Sequence, residues 1–112
     1  DLSTDSVVTL ITKVIEKIQT ESPRTKLYIQ SLLPINESFG RYKTMTGKTD
    51  LIPEINRKLE ALAKEKKISF IHLFPLFTEK NSNVMRKELT TDGLHLTEEG
   101  YRIWSKALKR YL

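Results

Sequence analysis

Lys26-Leu27-Tyr28-Ile29-Gln30-Ser31-Leu32-Leu33, closed by Pro34, is the stretch on which the fold turns. It is too short for a helix and too apolar for a strand with one wet face. It predicts a parallel strand buried on both faces. Ile68 to Phe74 (ISFIHLF) has the same character and predicts a second. Between them, residues 50–66 place Ile52, Ile55, Leu59, Leu62 and Ala63 at helical spacing. Pro53 suits that helix's first turn, and Lys64, Lys66 and Lys67 suit its negative end. Strand, helix, strand predicts a right-handed crossover joining parallel neighbours, hence an α/β fold.

Working outward, residues 3–22 carry Val7, Leu10, Ile11, Val14, Ile15 and Ile18 as one apolar stripe. Ser3, Thr4 or Asp5 can cap that helix, and Pro23 stops it. A last helix is expected from about Thr97 as cap, with Glu98 and Glu99 in its positive first turn. Tyr101, Trp104, Leu108 and Tyr111 share one side of it as expected core anchors, and Lys106, Lys109 and Arg110 close it. Two long loops, 35–49 and 75–96, connect these elements, and loops of that length are often functional. The order is α-β-α-β-α. Two doubly buried strands make too small a sheet, since three or more are normally needed. Further strands are therefore expected before residue 1, with the chain a piece of a larger domain. Strand exchange or edge pairing in a homodimer is the other explanation.

At 112 residues the chain holds one domain at most, and 38% hydrophobic with 29% charged residues excludes disorder. No apolar run reaches the roughly 18 residues of a membrane-spanning helix. The absence of cysteine removes disulfides, zinc ribbons, thiol nucleophiles and iron–sulfur centres together. The net charge of +5 comes from lysines and arginines interleaved with glutamates, without an Arg-rich arm or a Gly-aromatic run. It reads as a solvated surface, and no nucleic acid is expected as a partner.

Asp92-Gly93-Leu94-His95 is the one short segment with catalytic character. Imidazole is a general base near neutral pH, and works best when a carboxylate holds one ring nitrogen and fixes the tautomer. Three residues of separation in a tight turn can bring both side chains to one side, with Gly93 relaxing the backbone. Asp92 would then accept the hydrogen bond of Nδ1–H and leave Nε2 free. Placement between a strand and a helix puts the pair at the carboxyl ends of the strands, where open α/β sheets bind ligands. The same residues also fit a structural turn, Asp92 closing an Asx-turn and His95 packing near the helix start.

Leu89 to Trp104 (LTTDGLHLTEEGYRIW) resembles the final block of the SGNH (GDSL-type) esterase and acylhydrolase family, with its Asp-x-x-His and Gly-Tyr tail. Leu27 to Asn36 (LYIQSLLPIN) is similar to that family's fourth strand and following loop, and Phe70 to Phe74 to its fifth. The resemblance covers the whole chain but only the carboxyl-terminal half of the family domain. It implies a flavodoxin-like three-layer α/β/α sandwich with a parallel sheet, here a truncated portion. It also implies His95 as catalytic base, Asp92 as the residue orienting it, and hydrolysis of a small-molecule or carbohydrate ester through an acyl-enzyme, without metal or organic cofactor. The family's Gly-Asp-Ser nucleophile block does not occur in these 112 residues, and Asp1-Leu2 matches only the tail of its Gly-x-Asn-Asp block. Ser31 and Ser105 are expected to be structural. The chain alone is therefore expected to be inactive, completed by the missing amino-terminal half. His72 stands where the family often has an acid; a metal pair with His95 is a poor site, and a hydrogen-bonded strand histidine is expected instead. Phe39 lies on a loop that can line a pocket. The reading from another class is a non-catalytic α/β interaction module that binds anionic partners through helix amino termini and lysines.

Overall fold

A computed structural model describes residues 4–112, so Ser3 as a cap and the Asp1-Leu2 match lie outside the described residues. The elements run α1 (Thr4–Glu21), β1 (Tyr28–Gln30), α2 (Leu51–Lys66), β2 (Ser69–Ile71) and α3 (Glu98–Leu108), the order expected from the sequence. α2 ends at Lys67, whose left-handed φ of 58° lets its N–H return to Ala63 and Lys64. Lys66 joins α2 to α1 through Glu16 at 2.7 Å and through its own carbonyl, which accepts from Gln19.

β1 and β2 are parallel, with Tyr28 opposite Ser69, Ile29 opposite Phe70 and Gln30 opposite Ile71. Alternation splits their side chains between two layers. Ile29 joins Ile15, Ile55, Leu59, Leu62 and Ala63 beneath α1 and α2, with Phe70 packed against them. Ile71 joins Leu73, Phe77, Met85 and Leu89 on the other side, where Tyr28 and α3 pack. The result is helix, sheet, helix in three layers.

The strands correct the expected lengths and burial. Each has three residues, and Gln30 and Ser69 are exposed. Beside the outer edge of β1 the described residues place no other strand. There Leu10 and Val14 of α1 remain 52% and 57% exposed, above a groove of about 390 Å³ that also touches Ile18, Leu27 and Ile29.

The two long connections are ordered by each other. Ile35 forms a parallel bridge with Val84, Thr78 an antiparallel one with Met85, and Met85 N–H donates to Ile35 at 2.9 Å. A third apolar cluster, Ile35, Met45 and Ile52 with Tyr42 and Phe74, pins the 35–49 loop to α2. α3 starts at Thr97, whose hydroxyl accepts from Gly100 N–H. Its packed side runs Ile103, Trp104, Ala107, Leu108 and on to Tyr111. Gly100 also sits on that side, where a Cβ would lie 2.8 Å from the Leu89 carbonyl oxygen. Tyr101 is thereby turned to the flank and is 50% exposed, which corrects its expected place as a core anchor.

Candidate active site

The segment between β2 and α3 is built around buried Thr90. Its hydroxyl accepts from Gly93 N–H at 2.9 Å and donates to the His95 carbonyl at 2.7 Å. The Thr91 N–H donates to the same carbonyl, so residues 90–96 close into a short antiparallel turn. Gly93 takes φ +93° at its tip, a region that favours glycine. Its carbonyl accepts from Asn36 N–H at 2.9 Å. Asn36, fully buried, donates in turn from Nδ2 to Met85. The turn is thus fixed by the loop that follows β1.

Within it the Asp92 carboxylate is used on both oxygens. Oδ1 accepts from the N–H groups of His95 at 2.8 Å and Leu94 at 2.9 Å, which is the Asx-turn. Oδ2 lies 2.7 Å from His95 Nδ1 and accepts from the Tyr42 hydroxyl at 3.0 Å. The two sequence readings are therefore not alternatives for Asp92, because one oxygen makes the turn and the other faces the imidazole. His95 does not pack near the helix start; its side chain is 64% exposed, and Nε2 has no hydrogen-bond partner among the described residues. A carboxylate at Nδ1 selects the tautomer protonated there, which leaves the lone pair on Nε2. The N–H of His95, its ring nitrogen, Leu94 N–H and the Tyr42 hydroxyl together hold Asp92 well below the usual carboxylate range. The same bond pushes the Tyr42 phenol up. Such a couple can take a proton at Nε2 and carry the resulting positive charge beside a carboxylate.

His95 opens onto a depression of about 270 Å³ lined by Gln30, Leu94, Leu96, Tyr101 and Trp104. Trp104 Nε1 donates to Gln30 at 2.9 Å. Phe39 lies beside Gly93 and is 38% exposed. Ser31 is buried, its hydroxyl accepting from Leu73 and Phe74 N–H, and Ser105 is exposed on α3. Ser31 also lines the depression beside His95, but its hydroxyl is taken up by those two backbone bonds. His72 is exposed just beyond β2, where Nε2 meets Glu60 at 3.1 Å and the ring stands edge-on to Phe70. Among the described residues no three His, Cys, Asp or Glu side chains gather as metal ligands, and no helix is long and apolar enough to cross a membrane.

Sequence reasoning missed Tyr42 and Thr90. Thr90 could have been found, since a Thr two residues before an Asp-Gly turn is well placed to bond the turn's backbone. Tyr42 carries no local signal, because its partner lies 50 residues away.

A parallel sheet between helix layers, with an acid-bound imidazole after its last strand, is a three-layer α/β/α arrangement with the site beyond the sheet. The GDSL-like lipase/acylhydrolase family matches residues 2–103, and the chain belongs to that family. A Streptococcus pneumonia protein solved as a candidate platelet activating factor is 29% identical, with a TM-score of 0.87, over 99% of this chain and 52% of its own. A GDSL-like lipase from Bacteroides thetaiotaomicron is 23% identical with a TM-score of 0.82, over 97% and 52%. The esterase domain of an ORF1 protein from a zebrafish retrotransposon is also 23% identical, with a TM-score of 0.78, over 99% and 60%. The last two show shared fold alone. The chain spans about half the length of the first solved structures it matches. No curated protein matches it.

Proposed function

We propose that this chain is the carboxyl-terminal half of a serine ester hydrolase domain and supplies the Asp92–His95 pair of a Ser-His-Asp triad. The single observation that carries the reading is the 2.7 Å bond from His95 Nδ1 to Asp92, with Nε2 left facing solvent. In this role Nε2 takes the proton of a serine hydroxyl as its oxygen attacks the ester carbonyl. Asp92 stabilises the imidazolium formed, which then protonates the leaving alkoxide. Water, deprotonated by the same nitrogen, releases the acid from the acyl-enzyme. The serine and the oxyanion donors come from the amino-terminal half of the domain. The open edge of β1 and the match to about half of each solved relative support that division. Acetyl or short-acyl esters of carbohydrate or lipid are the substrates.

An anion-binding module is disfavoured by the one helix start beside the site. Glu98 and Glu99 already place negative charge at the amino end of α3, where Arg102 pairs with both. The test is turnover of p-nitrophenyl acetate. The 112-residue chain is expected to give none above buffer. The same chain joined to its own gene's preceding sequence is expected to turn over, with kcat falling about 10⁴-fold in Asp92→Asn and about 10⁶-fold in His95→Ala. Robust turnover by the isolated chain, or a longer enzyme indifferent to His95→Ala, refutes the proposal.

A further inference from the structure

We infer that Tyr42 is a third member of the Asp92–His95 assembly, a positioning residue that fixes the carboxylate against the imidazole. Its catalytic consequence rests on the hydrolase reading above; its effect on the imidazole does not. The two bonds on Asp92 Oδ1 come from its own turn and would exist in any Asx-turn. Oδ2 is different, because both of its donors are side chains. With one donor there, the carboxylate can swing and still keep its turn. With the Tyr42 hydroxyl as the second, all four lone-pair directions of the carboxylate are taken. Tyr42 also touches the other partner, its ring standing 6.2 Å from the His95 ring at 64°. One residue from a distant loop thus limits the motion of both the acid and the base.

The loop is built to hold that hydroxyl still. The Tyr42 ring packs on the Ile35, Met45 and Ile52 cluster, and the Arg41 guanidinium lies 5.3 Å from its centre. On the far side of the loop, Glu37 accepts from Gly47 N–H at 2.7 Å, from Thr49 N–H at 3.1 Å and from the Thr49 hydroxyl. Those bonds hold the Glu37 carboxylate below its ordinary range, the Thr49 hydroxyl contributing most. Residues 37–49 are therefore closed at their base, with Tyr42 carried near the apex.

A neutral imidazole free in water favours the Nε2–H tautomer modestly, so the Nδ1–H form measures how firmly Asp92 is held against the ring. The experiment is nitrogen NMR of the His95 ring at about pH 8 in the 112-residue chain and two variants. Wild type is expected to show mainly Nδ1–H, Asp92→Asn mainly Nε2–H, and Tyr42→Phe a mixture. In the active longer enzyme, Tyr42→Phe is expected to lower kcat about tenfold with KM changed less than twofold. A Tyr42→Phe ring still at the wild-type tautomer, or a changed tautomer with unchanged kcat, overturns the role of Tyr42 and leaves the acid–imidazole pair standing. An Asp92→Asn ring that keeps the wild-type tautomer overturns the pair and Tyr42 together. Should Tyr42→Phe lose its dispersed amide spectrum, 3-fluorotyrosine labelling decides instead. The fluorine resonance of Tyr42 must move on Asp92→Asn, and a stationary resonance overturns the inference.

Discussion

Asp92 is where four donors converge, and the sign of its effect on stability follows from that. The unfolded chain offers an ordinary carboxyl, with a pKa of about 3.9, and the folded chain holds it lower. Below about pH 4 the unfolded state therefore binds more protons, and stability rises with pH through that region. The contribution is complete above the unfolded value and disappears as pH falls through the folded one. Urea midpoints of wild type and Asp92→Asn, compared from about pH 2.5 to 6, are expected to differ most above pH 5 and to converge in acid. A gap that stays constant across the range would mean that folding does not lower the Asp92 carboxyl. At this scale the sequence was informative about Asp92 and His95, because both lie in one turn and their chemistry is local. It was silent on Tyr42, whose role depends on where α2 and the 35–49 loop come to rest.

Gly93 shows how the two long connections act as one element. Its carbonyl accepts from Asn36 N–H, and a Cβ there would lie 2.3 Å from the Asn36 carbonyl oxygen. The loop after β1 and the turn before α3 approach too closely for any side chain, and the φ of +93° adds strain for an L-residue. Gly93→Ala is expected to cost about 2–4 kcal/mol of folding stability, read from urea unfolding. Relief requires the turn to move away from Asn36, so the His95 ring should also lose its Nδ1–H tautomer. A variant of wild-type stability would show that these loops are free to separate. The helices were legible because each carries a complete apolar stripe and its own stop, as Pro23 and the Lys67 cap illustrate. The strands were not, since the length of a strand depends on its neighbours. Leu27 and Leu32 are apolar enough for β1, but among the described residues no strand pairs with them, and the Leu32 backbone bonds the Asn56 side chain instead.

Across the whole molecule, apolar surface is unevenly covered. The Cα radius of gyration is 14.9 Å, where about 13 Å is typical of a globule of this length. Accessible surface is 7683 Å², against roughly 6,300 Å² for a folded monomer of 13 kDa. The excess, about 1,400 Å², is well above the roughly 800 Å² that one side of a standard protein interface buries. Leu10, Val14 and the groove beside β1 form one apolar patch within that excess. If the amino-terminal half of the domain is what seats there, the isolated chain should self-associate in its place. Sedimentation velocity is expected to show concentration-dependent dimers or larger species, and Leu10→Glu with Val14→Glu should return the chain to monomer with its helical circular dichroism kept. Joined to its amino-terminal half, wild type should stay monomeric, whereas the double variant should lose stability, by roughly 3 kcal/mol or more for two buried carboxylates without partners. A wild-type chain that remains monomeric at high concentration, together with a double variant that leaves the joined protein fully stable, would refute the seating of an amino-terminal half on this face.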